Sequence, residues 1–259
     1  MNTKTKDKFK KFGKYLLDTL FPTDIKCMFC NEELNQDEQN NTCIRCQKIL
    51  PYVDRFCPRC GAPISENNSG VCMNCKINNY YFTFARSVFI YNDMIISTIR
   101  SIKYDQKKHY IPPLSKYLAE VYATMNINPD LVTCVPLHPN REKSRGFNQS
   151  KLLAEHFSKL TFIPFVDLAD KILDNVSQTT LGYSDRIENV RDAYKLKPDM
   201  KNIIKNKTIL IIDDLLTTGS TASELSRILK NGGATACYVL TLAHGNTNKL
   251  NENKKQSND

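Results

Sequence analysis

At 259 residues the chain has room for one medium domain and a smaller one, and its 41% hydrophobic content is ordinary for a globular protein. No apolar run reaches the roughly 18 residues that a membrane span requires, and no apolar block with a small-residue cleavage site follows the basic start. The reading is therefore a cytoplasmic protein with no integral membrane segment and no secretion signal. A formal charge of +9 favours polyanionic partners such as nucleic acid, phosphorylated ligands or acidic lipid, although a lysine-rich surface also serves solubility alone.

Residues 1–26 combine six lysines between Lys4 and Lys14 with Phe9, Phe12, Leu16 and Leu20, which fit a short basic amphipathic helix. Such a stripe packs on its own domain more often than it meets nucleic acid or, peripherally, a membrane surface. Residues 27–78 carry cysteine pairs and little that could form a core. From residue 79 to 245 the pattern is that of a larger domain. An aromatic and β-branched run at 81–91 reads as a strand or hairpin, and 94–102 and 114–125 read as helices. A short apolar strand at 131–135 ends at Pro136, and 148–160 is helical. Residues 165–207 are polar and mixed, with few strong signals. Strand 208–212, helix 220–231 and strand 236–242 then form a βαβ-type unit. The tail 246–259 is almost wholly polar and reads as disordered.

Eight of the ten cysteines form C-x-x-C pairs: Cys27/Cys30, Cys43/Cys46, Cys57/Cys60 and Cys72/Cys75. Two thiolates separated by two residues can share one tetrahedral zinc, and two such knuckles complete a four-thiolate site. One or two structural Zn²⁺ are expected, pairing either sequentially or as a cross-brace; redox use of the pairs is the lesser alternative. A closed four-thiolate site folds a segment too small to bury its own core and leaves no open position for catalysis. Cys134 and Cys237 lie in apolar strands and read as buried hydrophobes.

Asp213 and Asp214 follow the apolar run 209–212 and precede Thr217, Thr218, Gly219, Ser220 and Thr221. Burying two adjacent carboxylates without partners is costly, so they belong at the strand end, facing ligand hydroxyls, cations or water. Gly219 permits close backbone approach, and Ser220 or Thr221 could cap the helix. Backbone N–H groups and hydroxyls at a helix start suit a phosphate, and adjacent acids suit a pair of sugar hydroxyls or a metal. Together they describe a ribose-phosphate cradle at the carboxyl edge of a parallel sheet.

The run Ile-Ile-Asp-Asp-Leu-Leu-Thr-Thr-Gly-Ser-Thr at 211–221 resembles the phosphoribosyl pyrophosphate (PRPP) signature of type I phosphoribosyltransferases. The run Val-Pro-Leu-His-Pro-Asn-Arg-Glu-Lys-Ser-Arg-Gly-Phe-Asn-Gln at 135–149 resembles the hallmark of their ComF branch, linked to DNA uptake in competent bacteria. The segment 16–22, the cysteine pairs, Lys103-Tyr104, Ser177-Gln-Thr and the run 189–194 resemble that branch too, so the likeness spans roughly residues 14–244.

The resemblance implies an α/β fold: a type I phosphoribosyltransferase-like parallel sheet flanked by helices, with a small amino-terminal four-cysteine-type zinc-ribbon module. It implies that Asp213 and Asp214 hold ribose hydroxyls and Thr217 to Thr221 the 5′-phosphate. Leu137 and His138 would lie in the pyrophosphate loop, with Arg141, Lys143 and Arg145 as cations for that anion or as a solvated basic loop. Arg186 and Arg191 fall in a region that is a mobile flap in relatives. Mg²⁺ would accompany the pyrophosphate. The implied function is PRPP binding in competence-linked DNA uptake, with single-stranded DNA and a competence helicase as further partners. The alternative is an active phosphoribosyltransferase of nucleotide or amine metabolism with no DNA role. No residue is assigned as a covalent catalyst, no acceptor site is readable, and with Cys27 the first cysteine nothing suggests glutamine-fed chemistry.

Overall fold

The computed structural model describes residues 26–35, 38, 40–65, 70–174 and 190–245. The expectations for the amphipathic segment before Lys26, for Ser177, Arg186 and Asn189, and for the tail 246–259 lie outside the described residues. The chain divides into two compact units after Leu50. In the first, a bridge between Lys26 and Glu33 closes a knuckle, and α1 (Ile44–Ile49) starts at Cys43, whose Sγ accepts from the Cys46 N–H at 3.4 Å.

The second unit begins at Pro51 and carries the second cysteine group with the short α2 (Met73–Ile77). Then follow β1 (Phe84–Ile90), α3 (Asp93–Tyr104), α4 (Ile111–Ala123), β2 (Leu131–Cys134), α5 (Pro139–Arg145) and α6 (Gln149–Thr161). β3 (Ala169–Lys171), β4 (Tyr194–Leu196), α7 (Met200–Ile204), β5 (Thr208–Leu216), α8 (Ser220–Asn231) and β6 (Ala236–His244) complete it. β1, β6, β5 and β2 form, in that order, a parallel sheet, and β3 and β4 pair antiparallel beside it.

Ile209 to Ile212 are wholly buried, because β5 is a central strand covered on both faces. Ile209, Ile211, Cys237 and Val239 meet Leu225 and Leu229 of α8 on one face, while α4 and α6 pack on the other. Cys134 and Cys237 are buried in their strands as expected. Neither outer edge is bare. Residues 51–53 pair with β1 (Val53 N–H to Val88 O, 3.0 Å), and 164–166 pair with β2 (Val132 N–H to Pro164 O, 2.9 Å).

The run 81–91 gives a single strand, the first of its two readings. One strand boundary needs correction. β5 does not stop at Ile212: it runs through both aspartates to Leu216, because β6 continues beside it, with Asp213 opposite Thr241 and Leu216 opposite His244. β2, however, ends opposite Ile212, so from Asp213 onward β5 has lost its neighbour on that edge. The start of α6 fills the gap, and the Asn148 side chain donates to Val135 O at 3.0 Å while capping the helix through Ser150 N–H.

Phe157 of α6 is completely buried against this sheet. Phe157→Ala should cost about 3–5 kcal/mol in denaturant unfolding, and a loss below ~1 kcal/mol would mean that α6 is not part of the core.

Candidate functional site

The cysteines sort sequentially. Cys27, Cys30, Cys43 and Cys46 form one group and Cys57, Cys60, Cys72 and Cys75 the other, each with its sulfurs within 4.8 Å of one another. The Cys30–Cys43 and Cys60–Cys72 sulfur separations of 3.7 and 3.5 Å approach the ~3.8 Å edge of a tetrahedron with ~2.3 Å zinc–sulfur bonds. Burial opposes the Cys57 thiolate, yet N–H groups of Cys60, Cys72 and Arg59 outweigh it and bring its pKa down to about 7. Burial pushes Cys75 up to about 12, with the charges of Cys57 and Cys72 adding to it. Four thiolates are therefore stable together only around a cation, and the donor set fits structural zinc.

The carboxylate pair lies where β5 outruns β2. Strand alternation turns the two side chains to opposite sides of β5. Asp214 is buried and ion-paired with the Lys103 ammonium from the end of α3, and its Oδ1 accepts from Gln149 Nε2 at 3.4 Å. Burial works against both charges, but each overcomes it for the other: Asp214 titrates below the ordinary carboxylate range and Lys103 above its own. Asp213 keeps partial exposure and accepts at Oδ1 from Ser150 Oγ (2.7 Å) and from the Asp214 N–H (2.9 Å). Desolvation, then the Asp214 charge, push its pKa up to about 7.

Beyond the acids the chain turns sharply. Gly219 has φ +79°, and a Cβ there would stand 3.0 Å from the Tyr80 ring, so both conformation and space call for glycine. The expected cap is not formed: Gly219 itself is the N-cap of α8, with no side-chain cap bond, and Thr218 Oγ1 accepts from the Ser220 N–H at 3.3 Å. The start of α8 thus has no cap from Ser220 or Thr221, and Thr218 Oγ1 holds the first of its N–H groups. Asp213, Asp214, Thr217, Thr218, Gly219, Ser220, Thr221 and Lys103 line one cleft of about 150 Å³.

The pyrophosphate-loop candidates are not gathered there. Residues 139–145 form helix α5 and not a loop, with His138 as N-cap, Pro139 in the first turn and Gly146 (φ +82°) ending it. Arg141 pairs with Asp174 at 3.1 Å, and His138 Nδ1 lies 3.4 Å from the same carboxylate. Arg145 donates to Gln149 Oε1 at 2.6 Å and stands over the Tyr104 ring, Lys143 is exposed, and Leu137 is half-buried before the helix. Arg191 lines a neighbouring cavity with Glu224 and Arg227. Lys103, Gln149 and Ser150 were quoted only as parts of the family motifs or passed over; their contact with the acids spans 63 to 111 positions and has no local signal. The Pro139–Gly146 bracket of α5, by contrast, was readable as a helix start and stop.

A parallel sheet with a carboxylate pair and a glycine turn at its carboxyl edge, joined to two four-cysteine groups, defines a phosphoribosyltransferase-type protein with a zinc module. Comparison with known proteins agrees. Residues 16–76 match the double zinc ribbon domain and residues 112–258 the phosphoribosyl transferase domain. The chain is 26% identical to Competence protein ComFC of Bacillus subtilis, over 83% of this chain and 93% of that one. It is also 26% identical to Competence protein F of Haemophilus influenzae (85% and 97% covered) and to DNA utilization protein YhgH of Escherichia coli (77% and 88%). The chain belongs to the phosphoribosyl transferase domain family, in its ComF branch with an amino-terminal double zinc ribbon.

Two measurements follow from these centres. Metal analysis of the purified protein should give close to two zincs per chain, and a value near one would rule out one of the four-thiolate groups. Asp214→Asn should cost about 3–5 kcal/mol of stability by leaving the Lys103 ammonium buried without its counter-charge. Lys103→Met combined with Asp214→Leu should restore much of that loss, and a double-variant cost equal to the sum of the costs of Lys103→Met and Asp214→Leu alone would show that the pair is not coupled.

Proposed function

We propose that this chain binds PRPP in the cleft at the end of β5 and acts in the cytoplasm in competence-linked DNA uptake; two of its relatives are named competence proteins and a third a DNA utilization protein. The observation that carries the ligand reading is the convergence of both aspartates and the whole 217–221 turn on one cleft. The turn and the start of α8 take the 5′-phosphate, with the Lys103–Asp214 pair forming part of the same cleft. Asp213, partly exposed and already fixed by Ser150, accepts from the ribose hydroxyls, and Asp214, held ionised by Lys103, assists it.

The oxygen donors here also fit Mg²⁺, a hard cation that takes phosphate oxygens together with one or two carboxylates. Asp213 is the carboxylate that would hold it, since Asp214 is engaged by Lys103. When bound, Mg²⁺ would neutralise charge on the pyrophosphate. In a transfer reaction the chain's own part would be to orient the ribose and favour positive charge at its anomeric carbon as pyrophosphate departs. Arg141 and Arg145 can serve the pyrophosphate only by leaving Asp174 and Gln149.

The DNA role draws on the positive balance of +9 and on the shared family; single-stranded DNA and a helicase are the partners it implies. Among the described residues no helix is long and apolar enough to cross a membrane.

Titration calorimetry with PRPP and Mg²⁺ should show binding by the wild type and at least tenfold weakening in Asp213→Ala, a loss of about 1.4 kcal/mol or more. An absence of heat from the wild type would dispose of the ligand reading. Single-stranded DNA binding should fall steeply with salt, and affinity indifferent to salt would argue against direct phosphate contact.

A further inference from the structure

The geometry points to Tyr80 as a positioning residue for the phosphate turn, holding the Thr218–Gly219 peptide from an anchor on the second cysteine group. This rests on the reading of that turn as a phosphate cradle.

The Tyr80 hydroxyl donates to the Thr218 carbonyl at 2.8 Å. In a trans peptide the C=O and N–H point in opposite directions, and no described peptide is cis. With its carbonyl held towards Tyr80, this peptide directs the Gly219 N–H away from the ring, to the side on which an anion is to be received. The same bond keeps a carbonyl oxygen from turning into the cleft, where it would repel a phosphate. The ring also backs the turn sterically, since a Cβ at position 219 would stand only 3.0 Å from it.

Tyr80 is itself fixed from the metal side. Its ring stacks on Phe82 (4.8 Å between centroids, 11° between planes) and packs against both the sheet core and the cluster of Cys57, Cys60 and Cys75. Arg59, between two of those cysteines, donates to the Tyr80 carbonyl at 3.4 Å, and its own carbonyl accepts from the Ala85 N–H of β1 at 2.8 Å. One residue further, the Tyr81 N–H donates to Ser223 Oγ of α8 at 3.0 Å. The stretch between the second cysteine group and the sheet is therefore clamped to the first turns of α8. Loosening the cysteine group should loosen the turn.

Tyr80→Phe keeps the ring and removes only the hydroxyl. In the full zinc-loaded chain without ligand, amide hydrogen exchange over 217–221 should quicken about tenfold with the rest of the second unit unchanged, and PRPP affinity should fall by a similar factor. Exchange at 217–221 equal to wild type would overturn the inference, and so would a general acceleration across the unit, which marks a merely structural residue. A wild type that binds no PRPP would defeat only the ligand reading, because exchange in the unliganded turn still decides the role of Tyr80. The anchor is tested by mild chelation. Quickened exchange at 217–221 on release of the second zinc is expected, and release without change there would refute the link.

Discussion

The candidate site is organised around one buried ion pair, Lys103 with Asp214. Two charges withdrawn from water cost several kcal/mol each unless they meet with further hydrogen bonds, and here Gln149 supplies one. The pair ties the end of α3 to the end of β5 and the start of α6, three elements that come from distant parts of the chain. It also divides labour between neighbouring acids. Asp214 is committed to its lysine and held ionised, while Asp213, turned to the other side of the strand, titrates near neutrality and is the one left with solvent exposure. Adjacent aspartates in the sequence are thus unlike groups in the fold.

The cleft exists because two parallel strands stop at different heights. β2 ends beside Ile212, and β5 continues to Leu216 along β6. The edge so uncovered receives the capped start of α6, whose Gln149 and Ser150 meet the two carboxylates one each. The turn that follows is backed by Tyr80, which belongs to the packing of the second cysteine group as well as to the sheet. The division of the chain after Leu50 places that group in the same compact unit as the sheet. The second group can therefore bear on the site through packing alone, with no catalytic part for its metal.

Much of this was legible in the sequence, for identifiable reasons. A central parallel strand needs apolar residues on both faces, so 209–212 announced itself, and helix 220–231 follows with the bounds expected. Ligand spacing made the cysteine pairs readable, although choosing sequential pairing over a cross-brace took the three-dimensional grouping. What remained hidden depends on contacts remote in the chain. Nothing near Lys103 states that its ammonium is buried, and strand length past Ile212 is set by hydrogen bonding to β6. In the sequence, Arg141, Lys143 and Arg145 read as cations beside a pyrophosphate loop or as a solvated basic loop; the capping residues of 139–145 make it a helix whose arginines are already engaged. Residues 165–207 gave weak signals because β3, β4 and α7 are short and held by the core they cover.

The most direct test of the central claim is a crystal structure of the protein grown with PRPP and Mg²⁺. The account predicts the 5′-phosphate seated against the backbone of residues 217–221 and the ribose hydroxyls on the carboxylates that end β5. A cleft without ligand, with PRPP bound elsewhere or nowhere, would contradict it.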